Sequence, residues 1–244
     1  MKPSILSTAC AVLLAAPALG QVPTDVQQPG TQPLERDPLI DTSTCFSCHA
    51  GYDASVEPGH GWLGSPMAHA TRDPLMWGAM AVAEQDFPGA GDLCLRCHTP
   101  SGWLEGRSTP TDGSGLLPNE DGGGVTCHTC HAMTNPDGSE PSLLGIQNAP
   151  FLAHSGGPSP EGYYGGAMYV LWAGKERLVP YASTTAKHAF FQSAFQRSSD
   201  LCGTCHDVSN PVTGDLAPGH GAFTPLAAGT FSGVPGTPVD GKAA

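Results

Sequence analysis

The sequence predicts a mostly irregular, partly α-helical chain organised around covalently attached groups rather than around a large side-chain core. Two observations carry that reading. Gly 32 and Pro 24 in 244 residues, with only 13% charged and 7% aromatic residues, disfavour long helices and strands along much of the chain. Such a chain needs staples, because the entropy of ordering its backbone otherwise exceeds what side-chain burial returns. The second observation is that eight of the nine cysteines fall into four copies of one five-residue motif.

Taken in order, the N-terminus reads as an export signal. Lys2 precedes an apolar run from Ile5 to Ala16, and Pro17-Ala18-Leu19-Gly20 supplies the small residues that a signal peptidase reads, so cleavage is expected after Gly20. The ninth cysteine, Cys10, would leave with residues 1–20; as a lipobox cysteine it would have too short an apolar stretch ahead of it. No later segment approaches 18 continuous apolar residues, so no transmembrane segment is expected and the mature chain is placed in the periplasm or outside the cell. Without residues 1–20, which carry Lys2 and no acid, 9 basic residues face 22 acidic ones, a balance of −13. That charge repels nucleic acid and steers cationic partners, so the expected partners are a redox donor and acceptor, a basic protein among them.

The four motifs are Cys45-Phe46-Ser47-Cys48-His49, Cys94-Leu95-Arg96-Cys97-His98, Cys127-His128-Thr129-Cys130-His131 and Cys202-Gly203-Thr204-Cys205-His206. Cys-x-x-Cys-His is the attachment sequence of a c-type haem: two thiols add to the two vinyl groups, and the adjacent imidazole reaches the iron as proximal ligand. Disulfides or zinc would also use paired cysteines, but neither requires a histidine directly after every second cysteine. With 10 His in 244 residues, four such coincidences have a chance on the order of one in several hundred thousand, so four haem c groups are expected. Cys45, Cys48, Cys94, Cys97, Cys127, Cys130, Cys202 and Cys205 are then the cofactor-binding residues, and His49, His98, His131 and His206 the proximal ligands.

The group on the opposite face of each iron separates carriers from catalysts: a second imidazole closes the site, methionine raises the potential, and no ligand leaves room for substrate. Six histidines remain. His188 opens Lys187-His188-Ala189-Phe190-Phe191, which reads as an amphipathic helix running toward the fourth motif. His69 precedes Asp73-Pro74, the N-cap and first residue of a helix expected through about Glu84. His60 lies between two glycines beside Trp62, and His154 and His220 lie in Gly/Pro-rich loops. These five are distal candidates, in that order; His128, inside the third motif, is expected to face away from its own iron. Met67, Met76, Met80 and Met168 are sulfur alternatives whose commoner role is packing. Arg72, Arg96, Arg107 and Arg197 are candidates to pair haem propionates. Motif spacing is irregular, which excludes a repeat array. The expected organisation is an extension at 21–40, a single cofactor-rich unit at 41–210 and a Gly/Pro-rich tail at 211–244. Within that unit, Ala167–Trp172 reads as a short strand or a haem cover.

The run Gly61-Trp62-Leu63-Gly64-Ser65-Pro66-Met67-Ala68-His69 with Arg72-Asp73-Pro74, the stretch Cys94 to Pro100 followed by Gly102-Trp103-Leu104-Glu105-Gly106-Arg107, and Leu201 to Val208 resemble a branch of the multihaem c-type cytochrome superfamily. That superfamily includes tetrahaem electron carriers of the ammonia-oxidiser type and filament-forming extracellular tetrahaem cytochromes. The resemblance spans about residues 40–210 and implies a multihaem cytochrome fold organised around four covalently bound, closely stacked haems. It also implies that His188 and His69 are distal ligands; it supplies no role for His128. The expected function is an exported tetrahaem carrier passing single electrons by outer-sphere transfer along bis-His haems. The alternatives are a reductase of small nitrogen or sulfur oxyanions with one open, five-coordinate iron, and a subunit of a homo-oligomeric cytochrome filament.

Overall fold

A computed structural model describes residues 30–135, 140, 166–183 and 185–206. Short helices dominate the first hundred of these: α1 (Thr42–His49), α2 (Pro58–Leu63), α3 (Pro66–His69), α4 (Pro74–Asp86), α5 (Gly91–His98), α6 (Pro100–Leu104), α7 (Pro118–Asp121) and α8 (Cys127–Ala132). A 3-10 turn, Ala70–Arg72, joins α3 to α4, and α9 (Ser199–His206) follows a second one at Ala194–Arg197. Proline starts helices here as often as it breaks the chain: α2, α3, α4, α6 and α7 each begin on one, because the missing N–H would be an orphan at the first helical position anyway. Side-chain caps complete several starts. Asp41 accepts from Ser43 N–H, Ser65 from Ala68 N–H, Asp73 from Leu75 N–H and Thr126 from Thr129 N–H.

Two small sheets close the second half. β1 (Met133–Thr134) pairs antiparallel with β2 (Val170–Leu171), so the apolar stretch at 167–172 contributes a short strand. β3 (Arg177–Val179) pairs parallel with β4 (Phe190–Gln192) in the register Arg177 to Phe190. The segment after His188 is therefore a strand and not the amphipathic helix expected from its aromatic spacing; the β3 edge, eleven and more residues upstream, supplies hydrogen-bond partners that local pattern does not contain.

A side-chain core does exist. Trp103, Leu95, Tyr169, Leu171, Met80 and Ala132 are almost completely buried, and Cys94, Cys97 and Cys205 pack against them. The Trp103 and Tyr169 rings meet edge to face at 6.1 Å. Arg96 is wholly buried between them, its guanidinium carbon 4.4 Å from the Trp103 centroid and 5.2 Å from that of Tyr169, an arrangement in which ring faces stabilise a desolvated cation. Residues 30–40, read from composition as part of an extension, enter this core: Thr31 N–H donates to Tyr169 O at 2.9 Å, Leu171 N–H to Thr31 Oγ1 at 2.9 Å and Leu34 N–H to Leu104 O at 2.8 Å. Gly30, at φ +100°, passes so close to Tyr169 O that a Cβ would stand 2.5 Å from it. No helix among the described residues is long and apolar enough to cross a membrane.

Candidate haem-attachment site

Each of the four motifs occupies its own short helix, with the histidine in the last turn of α1, α5, α8 and α9. The two cysteines of a motif, three positions apart on a helix, stand on one face about a turn apart. All eight thiols are free.

Long-range contacts bring the motifs together. α1 packs against α8, and Cys97 and Cys205 share one apolar cluster, so the first motif lies beside the third and the second beside the fourth, with the Cys45 thiol acting on Cys127 and that of Cys97 on Cys205. Within these pairs one thiol holds the proton for the other: Cys45 is lowered to about 6 by the Cys127 contact, while Cys127 is raised. Cys97 is lowered and Cys205 raised in the same way. Burial pushes Cys130 up to about 11. The third and fourth motifs are also tied, since Gln196 Nε2 donates to Cys130 O at 2.9 Å and Ala167 N–H to Thr204 O at 2.8 Å.

Glycine sets the approach of α2 to the first motif. Gly59 is buried, and a Cβ there would lie 2.8 Å from His49 O and 2.7 Å from Ala50 Cβ. Trp62 on the same helix meets Phe46 at 6.0 Å and donates its indole N–H to Val125 O at 2.9 Å, which ties the first motif to the residues entering the third.

The histidines sort by what their nitrogens touch. His131 Nδ1 lies 2.7 Å from Leu178 O and His98 Nδ1 3.3 Å from Ala70 O. Donation from Nδ1 to a carbonyl fixes the tautomer that leaves Nε2 with a lone pair for a metal. Burial also lowers the His131 pKa, and a neutral ring is the form that ligates. His188 shows the same arrangement, Nδ1 lying 3.2 Å from Ala189 O, and its ring centre stands 6.4 Å from that of the proximal candidate His49. A metal–imidazole bond of about 2 Å on each side, plus about 1 Å from nitrogen to ring centre, asks for a separation of roughly 6 Å. His188 thus lies beside the first motif, a pairing that the sequence pattern left open.

The remaining candidates differ. His69 is exposed and both nitrogens are engaged, Nε2 at 3.0 Å from Leu63 O and Nδ1 at 3.1 Å from Arg72 Nη2. Both contacts occupy nitrogens that a distal ligand, the role the resemblance implied, would turn to a metal. His60 is exposed on α2. His154 and His220 lie outside the described residues, as do the signal segment 1–20 and the tail 211–244. Met76, Met80 and Met168 are packed in the interior, and Met67 is 40% exposed.

His128 is 1% exposed, accepts the Ile40 N–H at Nδ1 (2.8 Å) and is held neutral by burial, its pKa lowered to about 3. With Cys127 N–H donating to Thr42 Oγ1 at 3.4 Å, it ties the chain entering α1 to α8. No local signal in the sequence marks that latch, because its partner is 88 residues away.

The four arginines singled out from sequence are committed elsewhere. Arg107 grips Asp121 through Nε (2.9 Å) and Nη2 and reaches Glu105 at 2.8 Å, which raises its pKa further. Arg96 is boxed by aromatic rings, Arg72 donates to Ala68 O at 3.0 Å, and Arg197 lies over Tyr181 at 5.5 Å.

No family model and no curated protein matches the chain. Among solved structures it is similar to a penta-haem cytochrome c552 from Thermochromatium tepidum, at 21% identity and a TM-score of 0.43, over 74% of this chain and 50% of that one. The chain spans half the length of that protein. A likeness of this size decides neither fold nor function, and the functional reading rests on the motifs and their geometry.

Proposed function

We propose that this chain is an exported tetrahaem c-type cytochrome that carries single electrons. The observation that carries the reading is the set of eight free thiols displayed in pairs on four separate helices, each pair followed by a histidine in the helix's last turn. The residues fit the group: the two thiols of each motif share a helix face, three of the histidines have Nδ1 on a carbonyl, and the His188 ring centre lies 6.4 Å from that of His49, a separation compatible with both imidazoles serving one iron.

Cys45 with Cys48, Cys94 with Cys97, Cys127 with Cys130, and Cys202 with Cys205 would hold the four haems, with His49, His98, His131 and His206 as proximal ligands and His188 as distal ligand opposite His49. Bound haem supplies a one-electron ferric/ferrous couple, and the protein supplies binding, orientation and electrostatics. Leu178 O and Ala70 O orient the His131 and His98 rings, and burial keeps His131 neutral. The adjacency of the first motif to the third, and of the second to the fourth, supports the reading that haems held there would lie close enough to exchange electrons. The balance of 9 basic against 22 acidic residues without residues 1–20, −13, favours docking of a cationic redox partner.

The electronic and paramagnetic resonance spectra of the ferric protein test this role. Four low-spin irons are expected of a carrier, and a high-spin iron that binds cyanide would instead mark the open site of a reductase. Size-exclusion chromatography of the same sample separates a monomeric carrier from a filament subunit.

A further inference from the structure

Near the contact of the first and third motifs, Arg36, Arg177 and His128 form no ion pair among the described residues, although Asp37 acts on Arg36 and Glu176 on Arg177 with opposite charge. Arg36 Nη1 is buried with no hydrogen-bond partner among the described residues, and its Nε donates to the Asp37 carbonyl at 2.9 Å. Arg177 donates to Lys175 O through Nη1, and the same nitrogen lies 3.3 Å from His128 Nε2. That last contact is not a hydrogen bond. His128 Nδ1 accepts the Ile40 N–H at 2.8 Å, so in the neutral ring Nε2 carries the proton and faces a guanidinium N–H, donor against donor.

Arg36, Arg177 and His128 act on one another electrostatically, and Arg177 also acts on Cys45 and His131. Neither arginine has a carboxylate within ion-pair distance among the described residues. A buried guanidinium N–H without an acceptor is costly, and the unpartnered Arg36 Nη1, with the His128 Nε2–H facing Arg177 donor to donor, asks for a carboxylate-like group with two oxygens. The haem reading provides such groups, since every haem carries two propionates.

The geometry points to Arg36 and Arg177 as the anchor of a haem propionate at the junction of the first and third motifs, with the His128 Nε2–H as a third donor. This rests on the haem reading and names residues that composition did not single out.

The test uses the holoprotein, with Arg36→Gln, Arg177→Gln and Arg36→Lys. In the glutamine variants one set of propionate-bending bands in the resonance Raman spectrum should shift. One midpoint potential should fall, because loss of a cation near the haem favours the ferric form. A threefold change in that one-electron equilibrium corresponds to about 28 mV at 59 mV per tenfold. Arg36→Lys should keep most of the potential while still moving the band. Should Arg177→Gln fail to mature, Arg36→Gln, whose side chain donates to the Asp37 carbonyl and to no other group among the described residues, carries both readouts.

Unmoved bands and potentials in glutamine variants with full haem content overturn the assignment and leave the haem reading standing. A wild-type protein that matures without haem overturns both. If inorganic phosphate raises the melting temperature of the wild type but not of the double glutamine variant, with propionate bands unchanged, the cluster holds an exchangeable anion and the propionate assignment is wrong.

Discussion

Replacing His188 with alanine removes the imidazole standing 6.4 Å, centre to centre, from His49. Two bonds of about 2 Å to a shared iron account for most of that separation, and the engaged Nδ1 at 3.2 Å from Ala189 O leaves Nε2 for the metal. The thioethers at Cys45 and Cys48 and the proximal His49 are untouched by the change, so haem content should stay at four. Coordination should change at one iron in four. In the ferric protein a high-spin resonance integrating to one iron per chain should emerge, and added cyanide should bind rapidly at that site alone. Stability should move little, within about 0.5 kcal/mol, because the His188 side chain is exposed. This pairing of a large spectroscopic change with a negligible thermal one separates a ligand from a packing residue, whose loss would do the reverse. A ferric spectrum that stays entirely low-spin, with no new cyanide binding, would refute the assignment.

Other substitutions distinguish the remaining side chains. His69→Ala should leave every iron low-spin, because its nitrogens are taken by Leu63 O and Arg72; a high-spin component in that variant would restore it as a ligand. His128→Ala strands the half-buried Ile40 N–H and leaves a hole in place of a 1% exposed ring, a loss of about 2–4 kcal/mol readable as a lowered melting temperature. Its Soret circular dichroism should change too, since the first and third haems would lose their fixed mutual orientation; unchanged melting and exciton signal would count against the latch. Trp103→Phe removes the donor to Asp92 Oδ1 at 2.9 Å and the larger face over Arg96, and should lower stability by about 1–3 kcal/mol in a denaturant titration.

The parts of the site that were legible in the sequence are those whose chemistry is local. Haem attachment needs two thiols and an imidazole within five residues, so the motifs announce themselves, and Asp73-Pro74 announces the start of α4, which runs two residues past the expected Glu84. What was not legible depends on partners far along the chain. Phe190 and Phe191 carry a helix-like aromatic spacing, yet pairing with Arg177 and Leu178 makes them a strand and turns His188 toward the first motif. Arg96 has the look of a surface cation until Trp103 and Tyr169 close over it, one of them 73 residues distant. The proline content, read as loop, partly encodes helix starts at Pro58, Pro66, Pro74, Pro100 and Pro118. Residues 30–40 have the composition of a tail, but Thr31 hydroxyl and amide groups satisfy the backbone of β2 and its neighbour and hold the segment in the core.

The most direct test of the account is the intact mass of the protein produced in cells able to mature c-type cytochromes. The account predicts a chain beginning at Gln21 and carrying the mass of four haems, all retained after denaturation because eight thioether bonds hold them. A chain whose mass is that of the polypeptide alone, or whose eight cysteines are found as disulfides, would contradict it.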